Sequence, residues 1–246
     1  MGLGLNPSSG GSSAGEAGYI APDEQYKVVF FYDDFITYHS GTVDPWVAFH
    51  SGSAVGFVAS PSDFTDHPGV AKLGTNGLNN YCTLATGLYG SFLLGDGEDT
   101  QTWITRIQSL STAGNVMTSY MGYRYATSWS AISSWPDGIW FEYNFDESPN
   151  WRVTTRRSGT STTTATSEVV DTDWHKFEII VNADATSVVF KIDGTVVATH
   201  TTNIPTTTTR SMDRVLLSRR ISYASGSKFM YVDFYSHKKV LTNPRY

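Results

Sequence analysis

From Tyr26 onward the chain is built of short runs in which apolar and polar residues alternate, separated by turn residues every 8–12 positions. In "QTWITRIQSL", Trp103, Thr105 and Ile107 fall on one face, while Ile104, Arg106 and Gln108 fall on the other. Successive side chains of a strand point to opposite faces, so this pattern predicts strands with one buried face. Phe177, Ile179 and Val181 align in the same way, as do Val188, Phe190 and Ile192. Asp193-Gly194 then interrupts the pattern before Val196, Ala198 and His200, which predicts a tight hairpin. A second hairpin is expected at Ser158-Gly159. Near the end of the chain Met230, Val232 and Phe234 alternate with Tyr231, Asp233 and Tyr235. No long segment has helical periodicity, and no repeat has a solenoid or propeller period. The expected architecture is all-β, an antiparallel two-sheet jelly-roll sandwich over residues 26–246. Residues 1–25 lack regularly spaced apolar positions and are rich in Gly and Ser, which predicts an extended, flexible N-terminal arm.

Composition supports this reading. Charged residues make up 16% of the 246 residues and aromatics 14%, so the sequence favours pleated surfaces over charged helices. The net charge of -6 offers no basic field for a phosphate backbone, so nucleic acid is not an expected partner. Cys82 is the single cysteine; no internal disulfide can form, and no cationic neighbour in sequence activates the thiol. The first residues show neither the basic region nor the apolar region of a secretory signal, and no apolar run is long enough to span a membrane. Synthesis in a cytoplasm without membrane insertion is the expectation.

One long stretch carries a resemblance. It runs from "GIWFEYNFDESPNW", which begins at Gly138, through a Thr-rich hairpin, "WHKFEIIVN" and "VVFKIDGTVVATHTTNIP" to Pro205. It resembles phage virion proteins that carry a concanavalin A-like lectin/glucanase jelly-roll domain. The "DDF" at Asp33–Phe35 and the closing "YVDFY" fit the same pattern. The resemblance implies that the first and last strands lie side by side. It also implies a non-enzymatic structural protein of a bacteriophage particle: a capsid decoration or cement protein, or else a tail or fibre component, anchored through its arm. The implied partners are other virion proteins such as the major capsid protein, with self-association as a homo-oligomer, possible as a trimer. No cofactor is implied. The same fold serves lectins and glycosidases, so carbohydrate binding, for instance to host surface glycans, or glycoside hydrolysis stands as the alternative.

The hydrolase alternative rests on Glu142, Asp146 and Glu147 in "EYNFDE". The related glycosidases place Glu-x-Asp-x-Glu, or a bulged Glu-x-Asp-x-x-Glu, on one strand face. Here the central position is Asn144, the unbulged third position is the shorter Asp146, and Glu147 runs into a turn-like "SPNW". A retaining mechanism needs carboxyls ~5–5.5 Å apart. A solvated acidic strand end is the simpler expectation, and no catalytic residue is assigned.

Three further groups bear watching. Asp96, Glu98 and Asp99 lie beside two glycines and offer oxygen ligands for calcium, although turns use the same residues and the spacing is not that of an EF-hand. Trp129 and Trp135 are candidates for sugar stacking, and Tyr123 and Tyr125 for a protein interface. The doublets Arg156-Arg157 and Arg219-Arg220 stand out on an acidic chain as interface candidates, because arginine pairs carboxylates in two-point fashion. The histidines show no metal-ligand spacing.

Overall fold

A computed structural model describes residues 27–35, 46–51, 58–59, 66–67, 69–87, 90–126 and 135–243. The proposed arm at 1–25 lies outside them. The described residues form two antiparallel sheets packed face to face.

The strands run in chain order as β1 (Val28–Asp33), β2 (Val47–His50), β3 (Val58–Ala59), β4 (Ala71–Thr75), β5 (Tyr81–Ala85), β6 (Phe92–Leu93), β7 (Gly97–Ile107) and β8 (Met117–Tyr125). They continue as β9 (Asp137–Asn144), β10 (Asn150–Arg157), β11 (Thr160–Val169), β12 (His175–Val181), β13 (Val188–Ile192), β14 (Thr195–His200), β15 (Ser211–Arg220) and β16 (Lys228–Leu241). The first sheet has the order β14-β13-β12-β7-β16-β4-β3, with β1 also paired to β16. The second has the order β11-β10-β9-β8-β15-β5-β2, with β6 paired to the start of β15. The first and last strands are therefore neighbours, with Val28 opposite Val240 and Asp33 opposite Tyr235.

Local sequence explains the turns. Asp193 and Gly194 have φ of 51° and 82°, and Ser158 and Gly159 have φ of 49° and 80°. Two successive positive φ values match the right-handed twist of the flanking strands, and glycine adopts the second at little cost. At the end of β1 Asp33 accepts hydrogen bonds from the Phe35 backbone N–H (2.8 Å) and the Trp46 indole (2.9 Å), an Asx-type turn.

Alternation explains the core. Trp103, Phe177, Ile179 and Phe190 from the first sheet meet Met121, Phe141, Trp151 and Val153 from the second, all buried. Each large side chain buried there contributes roughly 2–3 kcal/mol of hydrophobic stabilisation. The Thr-rich β11, by contrast, is exposed along most of its length. The outer face of the second sheet is closed too. Tyr120, Trp135, Trp140, Val215 and Leu217 form a second buried cluster there. That explains why β8 and β9 are buried on both sides.

Candidate functional site

The outer face of the second sheet holds the carboxylate motif. On β9, Ile139, Phe141 and Tyr143 enter the core, so Trp140, Glu142 and Asn144 point outward. Register places Tyr120 of β8 and Arg152 of β10 directly opposite Glu142, one on each side. Leu217 of β15 lies beyond Tyr120. The row across the sheet thus reads Arg152, Glu142, Tyr120, Leu217.

Glu142 is 8% exposed. Burial pushes its carboxyl above the ordinary range, while Arg152, Asn144 and Trp140 pull it partly back. Arg152 Nη1 lies 3.5 Å from Glu142 Oε1, and Asn144 donates to the same oxygen at 3.4 Å. The other carboxylates arrive differently from a strand register. β9 stops at Asn144, and the backbone N–H groups of Glu147 and Ser148 both donate to its carbonyl, so residues 144–148 turn back. Asp146 is left exposed in that turn. Glu147 swings round so that its Oε2 lies 3.4 Å from the same Arg152 Nη1. One arginine nitrogen therefore contacts both glutamates. The aromatic rings around them, Tyr120, Trp135 and Trp140, are at most 5% exposed.

The remaining sequence candidates separate. Trp129 lies outside the described residues, and Trp135 is buried, edge-on to Trp140 at 5.7 Å and 4.9 Å from the Arg124 guanidinium. Tyr123 and Arg220 are fully buried, so neither side chain offers surface. Arg220 donates to Ser222 and Gly226 carbonyls and to Asn115, which makes it a clamp on the loop after β15. β8 and β15 are buried on both faces, which alternation could not reveal. Arg157 is exposed, Arg156 and Arg219 are half-buried, and Tyr125 lies at the open end of β8. Asp96, Glu98 and Asp99 do not converge. Asp96 pairs with Arg210, Asp99 is buried against His237 and Lys239, and Glu98 points to the opposite face of β7. Among the described residues no group of three or more His, Cys, Asp or Glu could hold a metal ion. Cys82 is buried, and burial raises its thiol to about 12.

Sequence reasoning missed a pocket at one end of the second sheet. It has a volume of about 340 Å³ and is lined by Tyr125, Asp137, Thr208, Thr209 and Ser211. The end of β8, the start of β9, a 3-10 turn at Thr207–Thr209 and the start of β15 supply these residues. Asp137 is held in place by accepting the Ser158 backbone N–H at 2.7 Å. The Tyr125 ring, the Thr208 and Ser211 side chains and a fixed carboxylate share a hollow at the small end of ligand-site volumes, while the Thr209 hydroxyl is engaged with the Thr206 backbone. These residues are 86 positions apart at the extremes, Tyr125 to Ser211, so no local motif announces them.

Residues 66–233 match the family model described as SO2946-like, C-terminal domain. No curated protein sequence matches the chain. Solved structures share its fold. The carbohydrate recognition domain of Emp47p aligns over 93% of this chain and 100% of that one, at 10% identity and TM-score 0.59. An endo-1,3-beta-glucanase from Streptomyces sioyaensis aligns over 90% and 99%, at 13% identity and TM-score 0.56. The Crh5 transglycosylase aligns over 91% and 89%, at 16% identity and TM-score 0.54. The chain has the concanavalin A-like jelly-roll fold shared by lectin and glycoside hydrolase domains.

Proposed function

We propose that this chain, which belongs to the SO2946-like, C-terminal domain family, is a non-enzymatic carbohydrate-recognition module of the lectin type. The observation that carries the binding half is the pocket at Tyr125 and Asp137. Sugars present hydroxyls that need both donors and acceptors and C–H faces that pack on aromatic rings, and this pocket offers each. The non-enzymatic half rests on Arg152, whose Nη1 contacts both Glu142 and Glu147 and so engages both carboxylates. A general acid must give its proton to a leaving group, and Glu142 faces an arginine instead.

The test is oligosaccharide binding measured by calorimetry alongside product analysis. Saturable binding without release of reducing ends is expected. Tyr125→Ala should weaken it by about tenfold or more, roughly 1.4 kcal/mol, while Glu142→Gln leaves it unchanged. Sugar cleavage that disappears in Glu142→Gln would overturn the proposal.

A second reading, a structural component of a phage particle, is favoured by one surface. Phe30 and Tyr32 of β1 are 56% and 60% exposed, with their rings 5.6 Å apart. Adjacent exposed aromatics on an edge strand suit burial by a second copy or by another virion protein. Sedimentation of the chain with particles, abolished by Phe30→Ser with Tyr32→Ser, is the outcome that reading requires.

A further inference from the structure

A buried chain of polar side chains runs between the sheets and ends at a separate pocket. Asp99 is fully buried. Its Oδ2 lies 2.9 Å from Lys239 Nζ, and its Oδ1 lies 2.9 Å from His237 Nε2. His237 Nδ1 lies 3.0 Å from Arg214 Nε and 2.7 Å from Arg214 Nη2. An arginine can only donate, so Nδ1 is an acceptor, the ring proton sits on Nε2, and His237 is neutral. Burial, the strongest influence on it, holds the His237 pKa below its ordinary value, in keeping with this tautomer.

The charges then balance in a particular way. Lys239 cancels Asp99, and Arg210 cancels Asp96. Among the described residues Arg214 has no carboxylate partner, and its acceptors are the neutral His237 ring and the Tyr235 hydroxyl. Its guanidinium lies 4.9 Å from the Phe92 ring centre and 5.3 Å from that of Phe31, which hold it by cation–π attraction. It forms part of the wall of a pocket of about 380 Å³ whose lining includes the apolar Phe92, Leu93 and Leu241 and the ion-paired Asp96, Arg210 and Lys239. A positioned cation with no carboxylate partner among the described residues, beside apolar side chains, fits a planar anion with an apolar body.

We propose that this pocket binds a small organic carboxylate, with the carboxylate on Arg214 and the apolar body against Phe92 and Leu93. The site is independent of the pocket at Tyr125. The Asp99–His237 pair acts as its positioning element, because it fixes the edge of the guanidinium that faces inward and leaves the remainder for the ligand.

Calorimetric titration of the full chain with benzoate tests this. Benzamide serves as the uncharged isostere and inorganic phosphate as the anion without an apolar body. Benzoate should saturate one site, at least about tenfold more tightly than either control, a difference of roughly 1.4 kcal/mol. Arg214→Gln should abolish that preference. Leu93→Trp, made at a residue 48% exposed and therefore tolerant of substitution, should block the pocket without disturbing the fold. Tyr125→Ala should leave benzoate binding intact. Equal binding of benzoate and benzamide, equal binding of phosphate, or no saturation by benzoate in the millimolar range would overturn the proposal.

Discussion

Two carboxylate–arginine constellations lie on opposite sides of the second sheet, and they use the same residue types to opposite ends. On the outer face Arg152 sits against both Glu142 and Glu147, so cation and carboxylates quench one another directly. Between the sheets, a neutral histidine is interposed between Asp99 and Arg214, and Lys239 neutralises the aspartate. The first arrangement closes a face. The second leaves a positive group directed at a pocket. What matters for function is therefore not the presence of acidic and basic side chains but which of them finishes without a counter-charge.

The two faces should differ most at Asp99. Asp99→Ala removes the partner of the half-buried Lys239 and the buried His237 together, and breaking a buried ion pair by removing one member costs about 3–5 kcal/mol. Urea unfolding should show that loss. A change under 1 kcal/mol, the size of a surface ion pair, would mean that the inner cluster is no more buried in solution than the outer one.

A smaller effect is expected on the outer face. Arg152→Met leaves the Glu142 carboxylate desolvated without its cation, at a cost of about 2 kcal/mol near neutral pH. Burial already raises the Glu142 pKa, and the arginine is the largest influence opposing it. Its removal raises the folded-state pKa further above the ordinary value of 4.5. A raised carboxyl favours the fold below the unfolded pKa and loses that contribution as pH rises through the folded one. The deficit of Arg152→Met should therefore shrink on acidification, which pH-dependent unfolding can follow.

The inner cluster has the reverse dependence. Burial depresses the folded-state pKa of His237 below 6.5. Its contribution is present above the unfolded pKa and is lost as pH falls through the folded value, with a limiting slope of about 1.4 kcal/mol per pH unit. His200, depressed by burial, acts in the same direction, whereas the raised His175 acts oppositely. The difference between the wild-type chain and His237→Gln isolates the effect, and the variant should lose less stability below pH 6.5. The smallest change is expected for Glu142→Gln. It keeps the shape and removes a carboxylate that burial already disfavours, so stability should move by under about 1 kcal/mol.

Much of the fold was legible. Alternation located β7, β12, β13 and β16, and Asp193-Gly194 and Ser158-Gly159 located two hairpins, because a period of two and positive-φ residues are local properties. Tyr123 faces the inter-sheet core and Arg220 is enclosed by the loop after β15, so both lie buried although their residue types suit a surface. The Glu142 strand was found by spacing, yet the partner that decides its chemistry, Arg152, comes from the neighbouring strand. The Asp99–His237 pair spans 138 residues and the Tyr125 pocket draws on four elements, so both emerge only once the strands are paired.

The proposed function requires that glycan be held at the Tyr125 end of the second sheet and not cut at Glu142. Chemical-shift mapping of the isotope-labelled chain during an oligosaccharide titration tests it most directly. Saturable shifts at Tyr125, Asp137, Thr208 and Thr209, with the sugar signals intact at the end, are the predicted result. Shifts centred on Tyr120, Trp140 and Glu142, accompanied by signals of a shortened sugar, would contradict it.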